Sequence, residues 1–146
     1  MGKIKLGIVD DNKDFCEVLQ NYFCQQNDIE VCFVAEDGLQ ALEKVQENEV
    51  DVLILDLIMP HLDGIGVLES LNTMDLKKYP RVVMVSAVGQ DSMIQRAVGL
   101  GAEYYLVKPI NTDVLGKRVR QVMNRDGGIR TNANSQLNLR KSTVYK

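Results

Sequence analysis

Val50-Asp51-Val52-Leu53-Ile54-Leu55-Asp56-Leu57-Ile58-Met59-Pro60-His61-Leu62-Asp63-Gly64 is the stretch whose reading decides the fold. Val52 to Leu55 is an unbroken apolar run, as expected of a strand buried on both faces of a parallel sheet. It stops at a carboxylate, Asp56, and Pro60 and Gly64 then mark a turn, one lacking an N–H and the other tolerating unusual backbone angles. An acid at the carboxyl end of a buried strand, with a tight loop behind it, stands where open α/β sheets place their chemistry. Asp56 alone could equally cap the next turn, so the flanking chain decides between a site and a cap.

Towards the amino terminus, Ile4 to Val9 is a short apolar strand ending in Asp10-Asp11. Asn12 reads as a helix N-cap, and Phe15, Val18, Leu19, Tyr22 and Phe23 then recur at helical spacing. Ile29 to Ala35 reads as a second strand, Glu36-Asp37-Gly38 as a turn, and Leu39, Leu42 and Val45 as a second helix with Ala41 beside them. Beyond the opening stretch, residues 65–71 begin a third helix and residues 81–87 form a fourth strand. Met93, Ile94, Ala97 and Val98 predict a fourth helix that ends at Gly99-Leu100-Gly101, and residues 104–107 a fifth strand closed by Lys108-Pro109. A fifth helix starts near Thr112, with Val114, Leu115, Val119, Val122 and Met123 apolar. Strands alternating with helices in this way predict an α/β fold: a flavodoxin-like, doubly wound (βα)5 parallel sheet of strand order 2-1-3-4-5. The pattern covers residues 1–125. Residues 126–146 are rich in Gly, Asn and Ser, lack a sustained period and carry four basic residues against one acid, which reads as a flexible linker or tail.

With 146 residues, 45% hydrophobic and 25% charged, the chain has the size and composition of one soluble domain with a proper core. A formal net charge of −3 gives no reason to expect nucleic-acid binding by this segment. No apolar run approaches a membrane span, and Met-Gly-Lys starts neither a signal peptide nor, with Leu6 at the decisive position, a myristoylation site; the expectation is a cytoplasmic protein without membrane contact. Cys16, Cys24 and Cys32 have no metal-like spacing and read as small buried apolar residues in a reducing compartment.

The polar residues just past strand ends carry the chemistry: Asp10 and Asp11 after the first, Asp56 after the third, Ser86 after the fourth and Lys108 after the fifth. In the order 2-1-3-4-5 those four strands are contiguous, so the side chains converge on one crevice at the switch point. Each alone reads as a turn former or a solvated charge; together they are specific. Three close carboxylates repel, and a cation or raised pKa values must relieve the repulsion. Hard oxygen ligands without His or Cys suit Mg2+ or a similar divalent ion such as Mn2+ or Ca2+. Such a site draws phosphate oxygens, Lys108 and Ser86 can hold them, and Asp56 can act as nucleophile to give an aspartyl phosphate.

Asp10-Asp11, Asp56 with Met59-Pro60 and Gly64, Ser86-Ala87 and Lys108-Pro109 together resemble the signature of response-regulator receiver domains. The resemblance implies the phosphoacceptor domain of a two-component or phosphorelay regulator, not an enzyme, in which Asp56 takes a phosphoryl group from a phosphohistidine of a histidine kinase or histidine phosphotransferase. It implies that Asp11, Asp56 and the backbone carbonyl of Ile58 bind Mg2+ with Asp10 acting through water, and that Ser86 and Lys108 contact phosphoryl oxygens. Ser86 and Tyr105 match the family's switch positions, and Lys108-Pro109 a peptide bond that is usually cis. Tyr105 also reads as an ordinary half-buried strand aromatic. The resemblance further implies reversal by a phosphatase and a weak homodimer on phosphorylation, through a face including Arg96, Tyr105, Lys117 and Arg118. Residues 58–64, Asp75-Leu76-Lys77-Lys78 and Gly89-Gln90 resemble more closely the stage-zero sporulation A family, the sporulation master regulators of endospore-forming bacteria. That family joins a receiver by a flexible linker to a DNA-binding domain, so the implied output is transcription control of sporulation, with DNA bound only through a carboxyl-terminal domain absent from these residues.

Three other readings compete with this one. A stand-alone receiver is one. A phosphatase of the haloacid dehalogenase type also places an Asp nucleophile after a strand, but needs a second acid two residues on, where this chain has Ile58. A flavodoxin-like electron carrier needs a loop of backbone donors after the first strand, where Asp10-Asp11-Asn12 presents negative charge. His61, the single histidine, reads as a loop residue.

Overall fold

The computed structural model describes residues 2–124; the expected tail at 126–146 lies outside the described residues. The elements run β1 (Ile4–Val9), α1 (Lys13–Cys24), β2 (Ile29–Ala35), α2 (Gly38–Glu47), β3 (Val52–Leu55), α3 (Gly64–Thr73), β4 (Arg81–Ser86), α4 (Asp91–Gly99), β5 (Ala102–Val107) and α5 (Thr112–Met123). The strands form one sheet in the order β2-β1-β3-β4-β5, and every adjacent pair is parallel. This is the expected flavodoxin-like sheet. No helix among the described residues is long and apolar enough to cross a membrane.

The sheet forms where the sequence is apolar without alternation. All four residues of β3 are buried, as are the last four of β1 and the last five of β4, because helices cover both faces. Four of the five helices start where a short polar side chain accepts an orphan backbone N–H. Asn12, Asp37, Asp63 and Asn111 cap α1, α2, α3 and α5 in this way, whereas Gln90 at the head of α4 makes no such bond.

Helix faces differ in detail from the sequence pattern. The buried stripe of α1 is Cys16, Leu19 and Phe23, while Val18 is 53% exposed; in α2 it is Ala41 and Val45, and Leu39 is 57% exposed. Of the three cysteines only Cys16 is buried; Cys24 ends α1 in solvent and Cys32 is intermediate, on edge strand β2. Strand β5 starts at Ala102 rather than 104. Gly101 adopts φ 115, which turns the chain straight from α4 into the strand, and Glu103 is accommodated by a register irregularity and an ion pair to Arg81 at 3.8 Å.

Gly64 fixes the loop behind β3 by close approach. Its N–H donates to the Leu57 carbonyl at 2.8 Å, and a Cβ there would lie 2.3 Å from the Asp56 carbonyl oxygen and 2.9 Å from Leu57 Cα. Both are backbone atoms and cannot swing aside. Gly64→Ala is therefore expected to cost about 2 kcal/mol, or roughly 6–8 °C in melting temperature. A thermal melt of the variant within a degree of wild type would refute the close-approach argument.

Candidate functional site

Asp10 follows β1, Asp56 follows β3, Ser86 ends β4 and Lys108 follows β5, so four neighbouring strands deliver them to one end of the sheet. Carboxylate oxygens of Asp10, Asp11 and Asp56 all lie within 4.8 Å of one another. Asp10 and Asp56 are buried and Asp11 is exposed at the mouth. Lys108 Nζ donates to Asp10 Oδ2 at 2.9 Å. The convergence read from the strand ends is thus present.

Burial is the main force on Asp56, and the nearby Asp10 charge adds to it; together they push its pKa from 3.8 up to about 6. The Lys108 charge, the Leu57 N–H donated to Asp56 Oδ1 at 2.8 Å and a hydrogen bond with Ser86 pull the other way without cancelling the effect. Asp56 is a carboxylate whose ionised form lacks a sufficient counter-charge. Three hard oxygen donors facing one point, with no nitrogen or sulfur among them, fit a Mg2+-like ion.

Ser86 is fully buried and its Oγ accepts the Val88 N–H at 3.1 Å. Tyr105, the other residue matched to a switch position, is also fully buried, and its hydroxyl donates to the Val88 carbonyl at 2.6 Å. The half-buried reading of Tyr105 is corrected here, as is its place in an exposed partner face. The strand register turns the ring inward between β5 and the β4–α4 loop, so only Arg96, Lys117 and Arg118 of that set reach the surface. Ile58 stands at the rim, 59% exposed. The Lys108-Pro109 bond is cis.

His61 is a loop residue, as read, but a tied one. It has φ 69, and its Nδ1 lies 2.9 Å from Asp37 Oδ2, while the Gly38 N–H donates to the Leu62 carbonyl at 3.0 Å. The loop behind Asp56 is thereby held to the start of α2. Asp37 also accepts the Gln40 N–H, and these two partners hold its pKa below the usual carboxylate value.

The fold and the three carboxylates at its switch point define a doubly wound α/β domain with an acid-rich crevice. Comparison narrows the class: a family model described as "Response regulator receiver domain" matches residues 6–120, and the chain belongs to that family. Among solved structures it is similar to the receiver domain of response regulator NarL from Mycobacterium tuberculosis, with 27% identity, a TM-score of 0.80, and 86% of this chain and 100% of that one covered. It is similar to the response regulator domain of Thermotoga maritima CheB, with 32% identity, a TM-score of 0.77, and 86% and 99% covered. It also resembles the Borrelia burgdorferi CheX–CheY–BeF3–Mg2+ complex, with 30% identity, a TM-score of 0.75, and 84% and 90% covered. Receiver domains are in general signalling modules rather than enzymes in their own right.

Proposed function

We propose that Asp56 is the phosphoacceptor of this receiver domain and that Ser86 and Lys108 hold the oxygens of the transferred group. The observation that carries the reading is the meeting of Asp10, Asp11 and Asp56 oxygens within 4.8 Å beside the Lys108 ammonium. An Asp56 carboxylate oxygen forms the new O–P bond as the P–N bond of a phosphohistidine breaks. The bonding pair returns to an imidazole that already carries a proton on its other nitrogen, so the ring leaves neutral. Lys108 donates to a phosphoryl oxygen and offsets its charge, and the Ser86 hydroxyl donates to another. Asp10, Asp11, Asp56 and the Ile58 carbonyl would hold Mg2+, which when bound neutralises charge on the phosphoryl oxygens. Its presence beside CheY in the Borrelia complex supports that assignment. The test is intact mass after incubation with Mg2+ and a small phosphoryl donor: one added phosphoryl group supports the reading, and an unchanged mass overturns it.

Relief of the carboxylate repulsion makes a second, independent expectation. Mg2+ at tenfold excess over its dissociation constant should stabilise the domain by about 1.4 kcal/mol, or roughly 5 °C. Asp11→Ala should remove most of this shift. A melting temperature indifferent to millimolar Mg2+ contradicts the metal assignment.

The partners this reading calls for are a histidine kinase or histidine phosphotransferase as donor and a phosphatase for reversal, as the pairing of CheX with CheY suggests. Ile58, Met59-Pro60 and residues 75–78 favour the stage-zero sporulation A output, with residues 126–146 as linker to a DNA-binding domain. A stand-alone receiver is the competing reading of the output, whereas exposed apolar Ile58, where a haloacid dehalogenase-type phosphatase needs an acid, disfavours turnover. Arg96, Lys117 and Arg118 supply a basic face on α4 and α5, and Arg96 already pairs with Glu69 at 3.3 Å. Phosphorylation is expected to favour a weak dimer through that face. Sedimentation of the phosphorylated protein as an unchanged monomer at about 100 μM, a concentration at which micromolar contacts saturate, speaks against it.

A further inference from the structure

Lys108 is held between two unlike groups. Its Nζ lies 2.9 Å from Asp10 Oδ2 and 4.2 Å from the centroid of the Phe15 ring. Phe15 stands in the first turn of α1, and that turn hangs on Asp10. The Asn12 N–H donates to Asp10 Oδ1 at 2.9 Å, Asn12 Oδ1 accepts the Phe15 N–H at 3.0 Å, and the Cys16 thiol donates to the Asp10 carbonyl at 3.3 Å. One aspartate thus anchors both the ammonium and the turn that carries the ring. Phe15 is half-buried, packing at the edge of the core with exposed Val18 one turn further along α1.

Building on the reading of Lys108 as a phosphoryl contact, we propose that Phe15 is a positioning residue for phosphoryl transfer, its ring face holding the Lys108 ammonium over the crevice. An ammonium carries three N–H donors on a flexible four-carbon stem, and left to one ion pair it would sample water as well as the site. An aromatic face attracts the cation through its quadrupole without engaging a donor in a directed hydrogen bond. One N–H can then stay with Asp10 while the others remain available to a phosphoryl oxygen. A charge already in place at the reacting centre contributes more than one that must reorganise.

The ordinary alternative is that Phe15 only packs, or serves a docking partner. A small phosphoryl donor removes the partner from the experiment. Labelling of the domain by acetyl phosphate and Mg2+, followed by intact mass, is compared in wild type, Phe15→Leu and Phe15→Trp, and the Lys108 ε-methylene protons are followed by NMR for ring-current shift. Phe15→Leu should label about three- to tenfold more slowly, the range that a half-exposed cation–π contact is worth, and its Lys108 protons should lose their upfield shift. Phe15→Trp should keep both the rate, within about twofold, and the shift, since indole is the better π face. Labelling of Phe15→Leu at the wild-type rate overturns the proposal, and so does equal slowing of both variants with the shift intact in Phe15→Trp. A wild type that takes no phosphoryl group removes the phosphoacceptor reading and this proposal together; a labelled wild type matched by Phe15→Leu removes this proposal alone.

Discussion

Asp56→Asn is expected to abolish labelling by any phosphoryl donor and, in metal-free buffer near neutral pH, to melt higher than wild type. The two effects have separate causes. Asparagine offers no carboxylate oxygen to form the O–P bond, so transfer stops. The stability gain comes from the raised pKa of Asp56, about 6 against 3.8. A carboxyl group whose folded-state pKa lies above its unfolded value favours the fold most while it is neutral. That contribution is fully present below pH 3.8 and is lost as pH rises through about 6. The wild type therefore gives up as much as about 3 kcal/mol by pH 7.5, and Asn, which never ionises, does not. The variant should melt roughly 10 °C higher at pH 7.5 in the presence of a chelator, with the advantage fading by pH 4. Millimolar Mg2+ should narrow the gap by stabilising the wild type. An equal difference at both pH values means that burial and Asp10 are not what strain this carboxyl.

The core of the fold was legible because parallel strands buried on both faces leave an unbroken apolar run, and β1, β3 and β4 each have one. Asp10, Asp56, Ser86 and Lys108 were legible for a related reason, since each is the first polar residue where such a run stops, and the topology does the rest. What the sequence hid depends on register and on contacts between distant residues. Glu103 looks unlike a strand residue until Arg81 is seen beside it. Tyr104 and Tyr105 are both buried, and alternation does not say that the Tyr105 hydroxyl reaches the Val88 carbonyl at 2.6 Å. Phe15 fits the helical period of α1 well enough to pass for an ordinary packing residue, and its contact is with Lys108, distant in the sequence but 4.2 Å away in the fold. His61 read only as a loop residue, and its tie to Asp37 had no signal because Asp37 read as part of a turn. Periodicity reports which way a side chain points, and the site was built partly from what it then touches.

The lifetime of the phosphoryl group on Asp56 is expected to be long and to shorten sharply when the rim is made polar. Hydrolysis requires a water in line with the O–P bond, and a rim side chain that hydrogen-bonds this water fixes its approach. By resemblance to the receiver family, the two rim positions that matter lie two residues after the phosphoacceptor and two after the switch hydroxyl. They are Ile58 and Val88, both apolar. Ile58 is 59% exposed and does no core work, so it is free to crowd an incoming water. Val88 contributes to the switch only through its backbone, accepting from Tyr105 at its carbonyl and donating its N–H to Ser86. Its side chain can therefore change without breaking either bond. Ile58→Asn with Val88→Glu should lower the melting temperature by a few degrees at most, through lost packing of half-buried Val88 on the core, and speed loss of phosphate from the purified domain by about tenfold or more, the lower end of what a positioned polar group contributes to proton handling. The decay is read by intact mass after the donor is removed. If instead the double variant keeps its phosphoryl group as long as wild type does, water placement is not the slow step, and the shielding must come from Lys108 and the carboxylates that hold the group itself.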